Sequence, residues 1–151
     1  MREYFREMPR RDIDRLHDEI EELFAELWQV PRFLGQRRGF RPNVDSYLTE
    51  DPPELSVVVE LPGVDAASVH VVVDGQTLVV SGERTRPKAD GRVYQQMEIE
   101  YGPFLRQVRL PAGVDSEGAR AAFERGVLRI TLPIAGARNP VGRVSIAVQR
   151  P

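Results

Sequence analysis

From residue 42 onward, apolar and polar side chains alternate in short runs that Pro and Gly interrupt. Residues 44–48 form the first run, and Glu50-Asp51-Pro52-Pro53 reads as a turn. Leu55, Val57, Val59 and Leu61 then alternate with Ser56, Val58 and Glu60 until Pro62-Gly63 stops them. Val69, Val71 and Val73 follow, with Asp74-Gly75 as a hairpin turn and Leu78 and Val80 on the returning run, closed by Gly82. Phe104, Val108 and Leu110 share one face, and Ala119, Ala121 and Phe123 another. Last comes Leu128, Ile130 and Leu132, ended by Pro133. Side chains two apart lie on one face of a strand, so each run predicts a half-buried strand. Around Arg125-Gly126 the two last runs form a tight hairpin, with Gly126 supplying a positive φ.

The first 41 residues follow a different period. Ile13, Leu16, Ile20, Leu23, Phe24, Leu27 and Trp28 fall at helical spacing, with Asp14, Asp18, Glu19, Glu21, Glu22 and Glu26 largely elsewhere. Pro9 lies upstream and Asp12 can cap, predicting a helix over 12–28. This segment holds six of the chain's eleven aromatic residues. One amphipathic helix has a greasy stripe and nothing within the segment to bury it against. The stripe covers either the chain's own β-domain or another surface.

Seven or eight short strands with no helix between them predict an all-β, immunoglobulin-like β-sandwich. Immunoglobulin hallmarks are missing, because there is no Cys pair and no Trp in the β region. The expected organisation is an arm over 1–41, partly helical, a sandwich over 42–134, and a flexible extension over 135–151.

At 151 residues, one domain of about 100 residues with flanking segments is the natural size. The net charge is −2 with both signs interspersed, so neither a nucleic-acid stripe nor an acidic tail is expected. Of 21 cationic residues only Lys88 is lysine, an excess of arginine that reads as genome composition. The absence of Cys excludes disulfides, zinc–thiolate sites and thiol nucleophiles. No run is long and apolar enough for a signal peptide or a membrane span, which predicts a soluble, cytoplasmic chain.

Bond chemistry has no visible machinery. His17 and Glu21 stand four apart on the predicted helix, with no third metal ligand near them, and read as a solvated face. Glu98 and Glu100 point the same way on a strand and imply no cleft. They read as ion-pair partners for Arg106, which is in phase with Phe104 and Val108 and needs a partner if buried. No phosphate loop, nucleophile elbow or zinc-protease motif is present. We expect no enzyme and no cofactor.

Four motifs in order carry a resemblance over roughly 41–146. They are Leu-Pro-Gly-Val at 61–64, Tyr-Gly-x-Phe-x-Arg…Leu-Pro at 101–111, Ala-x-Phe-x-Arg-Gly-Val-Leu-x-Ile-x-Leu-Pro at 121–133, and Val-x-Ile at 144–146. Together they resemble the α-crystallin domain of small heat-shock proteins, of bacterial type. Arg125 stands where that family more often has Asn or Asp, which tolerate left-handed backbone better.

The resemblance implies roles. Val144 and Ile146 would dock as a tail on a neighbouring subunit, in a groove lined by Val69, Val71, Val73, Ala119, Ala121 and Phe123. The other reading of the pair is the last strand of the domain's own sheet. Residues 84–97 are either a mobile loop or, by resemblance, an arm whose short strand at 93–97 pairs with residues 44–48 of a partner. That dimer interface would use Val44, Tyr47, Val93, Tyr94, Met97, Glu98 and Arg106. Clients would meet the N-terminal arm at Phe5, Leu16, Ile20, Phe24, Trp28, Phe33 and Phe40. The implied function is an ATP-independent holdase that keeps unfolding proteins from aggregating and passes them to ATP-driven chaperones. The implied partners are unfolded clients and further copies of itself, with no stable membrane association. The alternative is a CS-domain-type co-chaperone or adaptor that binds one folded partner.

Overall fold

The computed structural model describes residues 39–136 and 142–151. The expected helix over 12–28, and every arm residue named above except Phe40, lie outside them. Within them the chain forms nine strands: β1 Val44–Glu50, β2 Pro53–Glu60, β3 His70–Asp74, β4 Thr77–Arg84, β5 Gly102–Arg109, β6 Arg120–Glu124, β7 Val127–Pro133, β8 Arg143–Ile146 and β9 Val148–Gln149.

They build two sheets. One has the order β1-β2-β7-β6-β9, and the other β5-β4-β3-β8. Three hairpins (β1–β2, β3–β4 and β6–β7) come directly from the turns read in the sequence. The chain then changes sheet between β2 and β3, β5 and β6, β7 and β8, and β8 and β9. A short 3₁₀ turn, Ala66–Ser68, sits at the first of these crossings, where the Asp65 carboxylate accepts from the Ala67 amide.

The core is made by the alternation. Leu55, Val57 and Val59 of β2, Val71 and Val73 of β3, Leu78 and Val80 of β4, Phe104 of β5, Ala121 of β6, and Leu128, Ile130 and Leu132 of β7 are buried together. Each large side chain removed from water in this way contributes about 1.5–3 kcal/mol. A one-residue slip of any strand would turn its apolar set outward, so the pattern also holds the register.

Three details depart from the sequence reading. Residues 93–97 form no strand within the chain; everything between β4 and β5 is irregular, and Val93 is 82% exposed. A strand needs a neighbour to satisfy its backbone, and among the described residues none pairs with this segment. Arg106 is turned inward as expected, but its Nη1 donates to the Pro42 carbonyl at 2.6 Å, and Glu98 stays exposed. A backbone acceptor 64 positions away was invisible to side-chain pairing rules. Finally, Phe40, placed with the arm by the sequence, belongs to the domain: it packs edge-on against Phe104 at 5.8 Å, and its amide donates to the Pro103 carbonyl.

Candidate functional site

The first candidate surface is the open side of the sandwich, where β3 ends one sheet's core and β6 the other's. Val71 and Val73 from β3 and Ala121 from β6 face the interior, with Phe123 and Ala119 half-buried beside them and Val69 buried just before β3. The Cβ-only side chain of Ala121 leaves the space between the two edges unfilled by β6 itself.

The C-terminal segment occupies that space. Val144 pairs antiparallel with Val73, and Ile146 with Val71. The two are only 4% and 8% exposed. Thus the Val-x-Ile pair lies on the groove residues named from the sequence, and here the groove belongs to the same chain. Residues 137–141, which lead into β8, are outside the described set. Two polar contacts hold the front of the segment. Arg143 Nε donates to Asp74 Oδ2 at 3.0 Å, and the Gly75 amide donates to the Gly142 carbonyl at 3.1 Å. Beyond Ile146 the chain crosses at Ala147 to the other sheet, and β9 pairs parallel with β6, Val148 opposite Ala121 and Gln149 opposite Ala122. Val148 thereby packs, half-buried, against the core. Sequence reasoning stopped at the Val-x-Ile pair, although the same period-2 spacing continues to Val148.

The second candidate surface is formed by β1 and the irregular 85–101 segment. Among the described residues β1 is an edge strand that pairs only with β2, and its residues after Val44 are exposed. Tyr47 is 45% and Leu48 60% exposed. The Tyr47 hydroxyl accepts from Arg129 Nη1 at 2.9 Å, which fixes its ring against β7. On the irregular segment Tyr94, Met97 and Ile99 are exposed along with Val93. Leu48 and Ile99 were not singled out from the sequence; Ile99 is in phase with Met97, which was the available signal. A row of unpaired backbone groups beside exposed apolar side chains is a natural template for another chain.

Arginine organises the root of that segment. The Arg84 guanidinium lies 3.6 Å from the centre of the Phe40 ring and 5.5 Å from that of Tyr101. It also donates to the Glu100 carbonyl from Nε and Nη2, and to the Pro62 carbonyl from Nη1. Arg86 lies over Tyr101 at 4.5 Å and Tyr94 at 5.7 Å. Hydrogen bonds from Arg92 and then Arg86 pull the Tyr94 phenol below its ordinary pKa. Burial, with the like charge of Arg41 adding to it, lowers the Arg106 guanidinium below its usual value. That costly placement locks the Pro42 carbonyl to β5 and so aligns the start of β1 with the second sheet.

Among the described residues, no group of three or more His, Cys, Asp or Glu could hold a metal ion. No helix among them is long and apolar enough to cross a membrane.

Against known proteins, the family model described as "Hsp20/alpha crystallin family" matches residues 47–149. A 16.9 kDa class I heat shock protein from wheat is 43% identical over 132 residues, covering 78% of this chain and 86% of the wheat protein. Among solved structures, heat shock protein 16.0 from Schizosaccharomyces pombe superposes with a TM-score of 0.60 at 29% identity, covering 72% of this chain and all of that one. A small heat-shock protein from Xylella fastidiosa superposes at 0.56 with 32% identity, covering 66% of this chain and 90% of its own.

Proposed function

The chain belongs to the Hsp20/alpha crystallin family, and on that premise we propose that it is an ATP-independent holdase. It captures exposed apolar segments of unfolding proteins, keeps them from aggregating, and leaves their refolding to ATP-driven chaperones. The observation that carries this reading is the exposure of large apolar side chains, Tyr47 and Leu48 on the edge strand β1 and Val93, Tyr94, Met97 and Ile99 on the 85–101 segment. Such a surface suits association and has no place in bond chemistry. The CS-type adaptor gains no support from the relatives reported above, all of them heat-shock proteins.

The building block in this proposal is a dimer. The 85–101 segment reaches a partner and pairs residues 93–97 with the partner's β1, while Arg106 and Glu98 lie at the root of that exchange. Larger assemblies form when the tail seats Val144 and Ile146 in a neighbour's groove instead of its own. Two buried knobs contribute roughly 3–6 kcal/mol before the ordering of the tail is subtracted. A single seat is therefore weak, about millimolar or weaker, and stable assembly needs many seats at once. The Xylella fastidiosa relative, whose structure reveals a distinct high order structure, supports assembly as a habit of close relatives. The N-terminal arm supplies the main client surface and is buried against other arms at rest. The proposed compartment is the cytoplasm.

The test is light scattering from a heat-labile client protein held at its aggregation temperature, without nucleotide. Suppression at near-equimolar subunit ratios is expected. Scattering indistinguishable from client alone would overturn the holdase reading.

A further inference from the structure

We propose that the groove reads the C-terminal segment at both ends, so that Asp74–Arg143 and Ala121–Val148, and not the Val-x-Ile pair alone, determine which segment it accepts. The occupant is the 143–149 sequence of this chain type. The placement follows from three observations. The segment runs antiparallel to β3 over Arg143–Ile146 and then parallel to β6 over Val148–Gln149, so one short peptide satisfies the edges of both sheets. At its front the Arg143 guanidinium meets the Asp74 carboxylate in register, with Asp74 directly opposite Arg143. At its back Val148 is half-buried, packed against the core cluster and opposite Ala121.

Each end removes an ambiguity that two apolar knobs leave. Val144 and Ile146 are similar in shape and two residues apart, so a segment slid by two positions would still bury one of them. A charge pair at one position penalises that slip, since the shifted Arg143 would no longer face Asp74. The crossover then needs a residue that bends from one sheet edge to the other, and the small Ala147 stands there, exposed. Val148 must follow immediately. The recognised chemistry is an extended peptide with a cation, then apolar residues at the second, fourth and sixth positions. Tails that carry only the apolar pair would bind in mixed registers and more weakly, which favours like chains over unlike ones.

The measurement is amide hydrogen exchange in the full-length chain. It reports local protection and needs neither client nor assembly, so its failure is separable from failure of the holdase reading. Val148→Ser should raise exchange in β6 about tenfold, leaving β4 and β5 protected. Asp74→Arg and Arg143→Asp should each raise exchange in β8 about tenfold, and the double exchange of charges should return it close to that of the parent. If Asp74→Arg disturbs the adjoining hairpin, seen as exchange across β4, Asp74→Asn takes its place with Arg143→Asn as its partner, and the two single changes should then weaken β8 less than additively when combined. Unchanged β6 protection in Val148→Ser would overturn the back anchor. Strictly additive charge variants would overturn the front one.

Discussion

Arg125 takes φ +53° and Gly126 φ +77° at the tip of the β6–β7 hairpin, the two positive values that such a two-residue turn demands. Glycine adopts them freely, whereas a side chain with a Cβ meets the following carbonyl at a cost of roughly 1–2 kcal/mol. Its side chain recovers little, because the 3.8 Å contact with Glu124 is almost fully exposed. Arg125→Asn should therefore raise the thermal midpoint, with about 0.5–1 kcal/mol of added stability. A denaturant titration that finds no gain would show that the turn is not strained by its arginine. Gly126 has no such latitude: a Cβ there would stand 3.1 Å from Pro62 Cα, and its carbonyl already accepts from the Leu61 amide.

Among the elements, β4 and β5 pair along eight residues each, from Thr77↔Arg109 to Arg84↔Gly102. Gly82 lies opposite Phe104, and a Cβ on it would stand 2.7 Å from the ring and 2.9 Å from the Ser68 carbonyl. The fully buried ring cannot retreat. Gly82→Ala should cost about 1–3 kcal/mol by overpacking, read as a lower midpoint in chemical denaturation. The 85–101 segment departs from and returns to that same pair of strands, and its ends at Arg84 and Gly102 are register partners. Replacing residues 88–96 by a short Gly-Ser turn can thus close the hairpin without strain. The shortened chain should fold and run as a monomer by native mass measurement; a surviving dimer would remove the segment from the dimer interface.

At the scale of the whole molecule, the described domain begins with Gly39 and Phe40. Their amides donate to the Tyr101 and Pro103 carbonyls, and Phe40 is held between Arg84 and Phe104. Removing residues 1–38 should leave a folded domain with a near-parental midpoint and much weaker suppression of client aggregation. Removing residues 1–40 instead should lower that midpoint by roughly 10 °C, since a half-buried Phe is worth about 2 kcal/mol here and each kcal/mol shifts a domain of this size by several degrees. Equal midpoints for the two truncations would show that Phe40 contributes nothing to the domain, and full protection by the shorter cut would move clients onto the sandwich.

Local alternation was enough to place seven of the strands or their central residues, because a half-buried strand must put apolar side chains two apart whatever its partner; for Val144 and Ile146 it left a docking tail and a strand of the domain's own sheet both open. Pro62, Gly63 and Pro133 marked strand ends for equally local reasons, whereas β4 runs on through Gly82 to Arg84; the hairpin turns needed no knowledge of the rest of the chain. The groove residues were legible in the same way, as the inward set of β3 and β6. Contacts between residues distant in sequence were not. That Arg106 would meet the Pro42 carbonyl, or Arg84 those of Glu100 and Pro62, depends on which strands become neighbours. β9 is the plainest case: two residues carry too little pattern to predict a strand, and Val148–Gln149 became one only because β6 offered an unpaired edge where the tail crossed. In the opposite sense, Val93 and Tyr94 favour strands by composition yet form none, because among the described residues no strand pairs with them. Propensity is a property of the residue, but a strand requires a partner for its backbone, and only the tertiary arrangement decides who that partner is.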